Sequence, residues 1–363
     1  MPRVIGIDPG TIGVDVCGLE NGRLFLDRSW PTAEALASPS VLLEVLEAAS
    51  PLDLVAGPSG YGLPLIAVRD LTETDLRLAY LPDVGNGGGI MGLRALMRAL
   101  ARTSVPVVLT PGVVHLPSVP RHRKVNRVDM GTADKVCAAA LGISEQMKRR
   151  GCAARDVSFI LLELGGAFTA AIGVQDGRIV DGVGGTSGPL GLKACGALDG
   201  EVAFLAGTVT KRHLFGGGVA TIAGTPDASP ESLATPSTEG GRLAWDAYLE
   251  SVVKAAAVVA VSVPCPQEVI LSGRLALLDS VREQLSASLS RVIPNTPIRA
   301  LTGFAIVARQ AAQGAALMAD GLAGGESGPL VETLGLRAAA GTVLDHLHVI
   351  SPHAARARLG LDP

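Results

Sequence analysis

The chain has 363 residues, a formal net charge of −3 and only 3% aromatic residues. That balance supplies no general electrostatic attraction to nucleic acid or to a membrane surface, and so few rings argue against stacking on bases. The five cysteines (Cys17, Cys137, Cys152, Cys195, Cys265) show no metal-like spacing. They fit free thiols in a reducing cytoplasm, with neither a signal segment nor a bilayer-length apolar run expected.

Taken in chain order, residues 4–8, 14–18 and 23–27 predict three short strands in a meander, the last two joined at Asn21-Gly22, a pair that tolerates positive φ. Residues 38–50 predict a helix with Ser38 as N-cap and Pro39 in the first position. A buried strand follows at 52–57. Residues 90–103 read as an amphipathic helix with Ile90, Leu93, Met97 and Leu100 on one face and Arg94, Arg98 and Arg102 on another. A buried strand at 105–110 leads to a helix over 131–150. Then the pattern restarts. Residues 157–182 predict three more strands with a turn at "QDGR", followed by a helix near 241–262, a strand at 268–272, a helix over 275–293 and a small-residue helix near 303–322. Residues 224–241 have the composition of a surface loop. This alternation predicts an α/β architecture.

The restart is a repeat. An offset of 155 carries Asp8 onto Glu163, Gly10 onto Gly165, Gly18 onto Gly173, Gly22 onto Gly177, Arg23 onto Arg178 and Leu24 onto Ile179, with no gap. Each copy is a strand, an acid, a glycine turn and a returning strand. Glycines let backbone N–H groups approach a phosphate closely. A carboxylate beside such a loop cannot bind phosphate, but it can hold a divalent cation that does, which makes Asp8 and Glu163 candidate magnesium ligands. Gly10, Gly165 and Gly166 are the candidate phosphate-loop residues, with hydroxyls from Thr11 and Thr169. The plainer alternative is a tight turn at Asp8-Pro9 and a solvated strand-end acid at Glu163.

"IGIDPGT" (5–11) and "LLELGGAFTAAI" (161–172) resemble the two phosphate motifs of the acetate and sugar kinase, heat-shock chaperone and actin superfamily. "EVILSGRLA" (268–276) resembles its adenosine motif, and "QGAALMADGLAGG" (313–325) the helix that closes that site. The resemblance implies two actin-like (ribonuclease H-like) lobes, residues 1–150 and 151–363, with ATP and Mg²⁺ in the cleft between them. It also implies that Ser272, Gly273 and Gly314 meet the adenosine. Two positions depart from the pattern: Glu163 stands where Asp is usual, and Ser272 where many members have Gly. "SGYGLPL" (59–65), "PGVVHLPSVPRHRKVNRVDMGTADK" (111–135) and "VDGVGGTSGP" (180–189) resemble the family labelled predicted butyrate kinases, which implies phosphoryl transfer to a small carboxylate.

The polar stretch 120–135 is the candidate acceptor site, because open α/β sheets bind ligands beyond the carboxyl ends of their strands. Arg123 and His122 would neutralise the acceptor or the moving phosphoryl group. Asp129 or Asp134 would take a proton from a hydroxyl acceptor; a carboxylate acceptor needs no base. The alternative is a solvated basic loop and a helix cap. Thr186 and Ser187, in a glycine-rich turn, would line the cleft. The partner expected is thus a small molecule, with homo-oligomerisation open. The competing functions are a kinase for a hydroxyl substrate and a nucleotide-dependent switch protein of the same fold.

Overall fold

A computed structural model describes residues 2–38, 40–82 and 90–361, with Ile90 and Met91 as backbone only. Pro39 and the Ile90 side chain therefore lie outside the described residues. Strands β1 (Arg3–Pro9), β2 (Gly13–Glu20), β3 (Arg23–Pro31), β4 (Leu54–Pro58), β5 (Ile66–Ala67) and β6 (Val107–Thr110) form one sheet in the order β3-β2-β1-β4-β6-β5. Strands β7 (Phe159–Leu164), β8 (Thr169–Gln175), β9 (Arg178–Val183), β10 (Glu268–Ser272) and β11 (Ile298–Ala300) form the other, in the order β11-β10-β7-β8-β9. In each sheet an antiparallel meander continues into two parallel strands on the far side of its first strand, and in the first sheet the short β5 adds an antiparallel edge on β6.

The 155-residue repeat holds at the level of register. Asp8 pairs with Asp15, and Glu163 pairs with Ala170. The strand pairing slips once in each meander, between Gly18 and Leu19 and between Gly173 and Val174. Both turns take the same left-handed path, with φ of 53° and 72° at Asn21 and Gly22 and of 53° and 70° at Asp176 and Gly177. A bulge and a two-residue turn at matching positions are what fixed turn chemistry produces when the same strand pair is built twice.

Two helices bind the halves together. Helix Ala133–Arg150 buries Val136, Ala140 and Ile143, as its periodicity predicts. Helix Gln310–Leu322 is buried all round from Ala312 to Gly321. It lies directly on β1: a Cβ at Gly6 would stand 2.1 Å from the Ala312 carbonyl oxygen and 2.2 Å from the Ala316 nitrogen. Its other side crosses helix 133–150, where a Cβ at Gly314 would stand 1.8 Å from the Cys137 carbonyl oxygen. The small residues of "QAAQGAALMADG" are therefore the contact surface of a helix clamped between a sheet and another helix. Apolar residues from Leu301 to Ala355 share one core with the first sheet, helix 133–150 and the near face of the second sheet (Phe159, Leu161, Ile172, Ile270), while helices Glu239–Ala260 and Asp279–Val292 cover the far face of the second.

Three smaller departures are local. The helix expected from 303 begins at Gln310, because the preceding amides are satisfied by side chains: Phe304 and Ala305 donate to Gln313, and Ile306, Val307 and Ala308 to Asp27. The expected loop at 224–241 contains a helical turn, Pro230–Leu233, capped by Ser229 and anchored by buried Leu233. Thr32–Ala37 is helical ahead of helix Ser40–Ala49. No helix among the described residues is long and apolar enough to cross a membrane.

His115, just beyond β6, is 2% exposed against Gly62. Neither ring nitrogen makes a well-formed hydrogen bond. Burial, reinforced by Lys124 and His346, pushes its pKa from 6.5 down to about 4. Between those values the unfolded chain holds a proton that the folded chain refuses, so stability falls as pH drops from 6.5 towards 4. At about 1.4 kcal/mol per pKa unit, the loss approaches roughly 3 kcal/mol. Denaturation midpoints against pH for wild type and His115→Leu are expected to differ in slope across that window, the variant being flatter.

Candidate active site

The site forms where β1 and β7 end. On β7, Ile160, Leu162 and Leu164 face the second core, whereas Phe159 and Leu161 face the same core as helix 133–150. Strand alternation sends Glu163 to the latter side, towards the start of that helix. There Lys135, 12% exposed, places its Nζ 3.0 Å from Glu163 Oε2 and also bonds Asp134. Asp8 adjoins the same group and feels Asp134, Lys135 and Glu163. The glycine loops close over these acids. A Cβ at Gly10 would lie 3.7 Å from Asp8 Oδ2, and one at Gly165 would lie 3.2 Å from both Glu163 oxygens. The loops also touch each other, since a Cβ at Gly166 would stand 2.3 Å from Ile12 Cδ1. Thr11 is exposed at the tip of the first loop.

Two carboxylates, Asp134 and Glu163, thus contact one ammonium, Asp8 lies within its influence, and the three acidities diverge. Burial raises the pKa of Asp8, and Asp134, Asp15 and Glu163 add to it. Burial also raises Glu163, against the pull of Lys135. Burial would raise Asp134 too, but Lys135 and the hydrogen bonds from Lys135 and Thr132 outweigh it and hold Asp134 below its ordinary value. Lys135 is driven upward because Asp134 and Glu163 overcome the cost of its burial.

The surplus of negative charge bears on the magnesium assignment. The Asp8 carboxylate accepts no hydrogen bond from a described residue, and its neighbours are mostly acids, so a divalent cation fits there. Glu163 fits less well, because Lys135 already faces it. Among the described residues, no three His, Cys, Asp or Glu side chains converge as a ready-made metal cage.

Several expected residues lie elsewhere or are already engaged. Thr169 is 1% exposed and faces the second core, with its hydroxyl 3.5 Å from the Tyr248 hydroxyl. Alternation puts it on the side opposite Glu163. Asp129 is not a free base. It accepts from the Gly131 amide at 3.1 Å and from the Thr186 amide and hydroxyl at 2.9 Å each, so it pins the 184–187 turn in place. Arg123 donates to the Val180 carbonyl at 2.8 Å and approaches Asp181 on β9. His122 is exposed. Gly314 belongs to the helix crossing described above. Ser272 pairs with Glu163 across the sheet, and its buried Oγ has no hydrogen-bond partner. Gly273, at φ +83°, lies so near β7 that a Cβ would stand 2.5 Å from the Leu164 carbonyl oxygen.

The structure adds residues that the sequence reading passed over. Asp15 is 1% exposed beside Asp8, with Arg309 at 4.0 Å. Its signal was an acid inside the apolar strand "GVDVCG". Lys211, on helix Lys211–Phe215, places its ammonium 4.7 Å from the centre of the Tyr61 ring and 5.5 Å from that of Phe215. Phe168, in the second glycine loop, meets Phe215 edge to face at 5.2 Å. This cluster joins residues far apart in sequence, and no local pattern announces it.

A search of curated proteins returns no match. Among solved structures the fold is similar to a propionate kinase from Francisella tularensis subsp. tularensis SCHU S4 (TM-score 0.60, 12% identity, covering 87% of this chain and 98% of that one). It is also similar to acetate kinases from Porphyromonas gingivalis (0.56, 13%, 80% and 88%) and Entamoeba histolytica (0.55, 11%, 80% and 86%). Together with the two sheets, this likeness gives the chain the two-lobed actin-like ATPase fold. The family model described as Protein of unknown function (DUF1464) matches residues 6–349, and the chain belongs to that family.

Proposed function

We propose that the protein is an ATP-dependent phosphotransferase whose acceptor is a short-chain carboxylate, as in a butyrate kinase. The observation that carries the reading is the duplicated glycine hairpin. Two loops with the same register and the same bulge face each other, with Glu163 on the Lys135 ammonium and Asp8 within its influence. Backbone N–H groups of the loops around Gly10 and Gly165 would hold the phosphates from both sides, and Ser272 and Gly273 would stand at the adenosine end. Asp8 would hold Mg²⁺, which supplies charge neutralisation to the phosphate oxygens.

In the proposed step a carboxylate oxygen of the acceptor attacks the γ-phosphorus. The bond to the β,γ-bridging oxygen breaks, ADP leaves with the electron pair, and an acyl phosphate forms. No base is required. That suits this site, because Asp129 is spent on the 184–187 turn and Asp134 is held by Lys135 and Thr132. The Lys211 ammonium, framed by Tyr61 and Phe215, would hold the acceptor carboxylate, and the rings would cover an apolar tail.

The test is ATP and magnesium with a panel of short carboxylates, with hydroxylamine present to trap acyl phosphate. Hydroxamate that depends on one acid is the expected result. ATP turnover with a hydroxyl acceptor and no hydroxamate would replace the carboxylate reading. Tight nucleotide binding with no acceptor-dependent turnover would point instead to a nucleotide switch.

A further inference from the structure

Lys135 stands at the centre of the acidic cluster. It leaves the first turn of helix 133–150, whose N-terminal end is the positive end of the helix dipole. Its ammonium touches Asp134 on its own helix and Glu163 on the second glycine hairpin. An ammonium has three N–H donors. Two carboxylates face it, so one donor remains for a further oxygen.

A phosphoryl group between the two hairpins would enter a region where Asp8, Asp15, Asp134 and Glu163 all repel it. Lys135 is the cation in contact with Asp134 and Glu163, whereas Arg309 stands 4.0 Å from Asp15 and acts on Glu163 only from a distance. Glu163 meets the ammonium through one oxygen, Oε2, at 3.0 Å. A phosphate oxygen would replace that single contact one for one.

We propose that the Lys135 ammonium binds the terminal phosphoryl group of ATP, taking its oxygens in place of Glu163 and neutralising charge there during transfer. This rests on the phosphotransferase reading and adds to it a catalytic residue in the cleft. Lys135 would then supply, from the chain itself, positive charge that a metal ion on Glu163 would otherwise bring. The competing explanation is that Lys135 only neutralises Asp134 and Glu163 and touches no ligand.

Calorimetric titration of the full chain with ATP and with ADP, each with magnesium, separates the two. Lys135→Met is expected to weaken ATP binding by about 10- to 100-fold, the scale of a charged hydrogen bond, and ADP binding by less than about 3-fold. The double variant Lys135→Met/Glu163→Gln removes both charges of the pair together, so it carries the test even where the single variant does not fold. It is expected to keep the selective loss of ATP affinity. Recovery of wild-type ATP affinity in the double variant, or equal weakening of ATP and ADP in the single one, would leave Lys135 a neutralising residue and overturn the proposal. Wild-type protein that binds neither nucleotide would overturn the phosphotransferase reading, and this inference with it.

Discussion

Asp8→Asn is expected to lower phosphotransfer by on the order of 10²–10³-fold while leaving the fold at least as stable as wild type. Both halves follow from the same surroundings. Asp8 lies half-buried beside Asp134, Asp15 and Glu163, and its carboxylate accepts no hydrogen bond from a described residue. Burial and like charge raise its pKa, so the folded chain retains a proton that the unfolded chain has released. The carboxylate therefore withdraws stability as pH rises from 3.8 through its raised value. Asparagine keeps the shape and removes that penalty. It also removes the charge that would hold magnesium against the phosphates. The check is a pair of measurements without and with magnesium: thermal midpoint at neutral pH, and turnover across a magnesium titration. A variant with a normal magnesium midpoint and full turnover would take Asp8 out of the metal site. A variant whose lost activity merely tracked a lowered thermal midpoint would show a structural role instead.

The second large effect concerns Gly314. Gly314→Ala is expected to cost about 3 kcal/mol or more, at the upper end of overpacking effects. The added Cβ would stand 1.8 Å from the Cys137 carbonyl oxygen and 2.5 Å from its carbon, both backbone atoms of a helix. Helix 310–322 cannot retreat, because on its opposite side Gly6 already lies against the backbone at Ala312 and Ala316. Gly328→Ala is the control. A Cβ there meets nothing within 4 Å, and its stability should change by no more than about 0.5 kcal/mol. Chemical denaturation of both variants gives the comparison. A packing role predicts a lower midpoint for Gly314→Ala, with nucleotide affinity lost only as the fold is lost. Full stability with selectively weakened ATP binding would return Gly314 to the adenosine site.

The hairpins were legible because their signals are local. Asn21-Gly22 and Asp176-Gly177 select the turn, alternation sets the strands, and a shared offset sets the register of both copies. The helices over 131–150, 241–262 and 275–293 were legible for the same reason, since each buries a face whose period is written in consecutive residues. Local pattern was less informative about caps, as at 303–309, where the expected helix yields to amides bonded by Asp27 and Gln313. It was least informative about polar residues. Asp129 and Thr169 carry the right chemistry for a site. One is consumed by the 184–187 turn, and the other points into the second core.

By itself, then, the sequence determined that the chain builds one strand-acid-glycine hairpin twice and sets each in an α/β layer. Turn chemistry and periodicity act over a few residues and need no partner from afar. Only the tertiary structure decided which acids face one another, that Lys135 falls between them, that helix 310–322 returns to the first core, and that Lys211 meets Tyr61. Each of these joins residues separated by tens to hundreds of positions. Its sign depends on which side chain reaches a buried charge first, and no local pattern records that outcome.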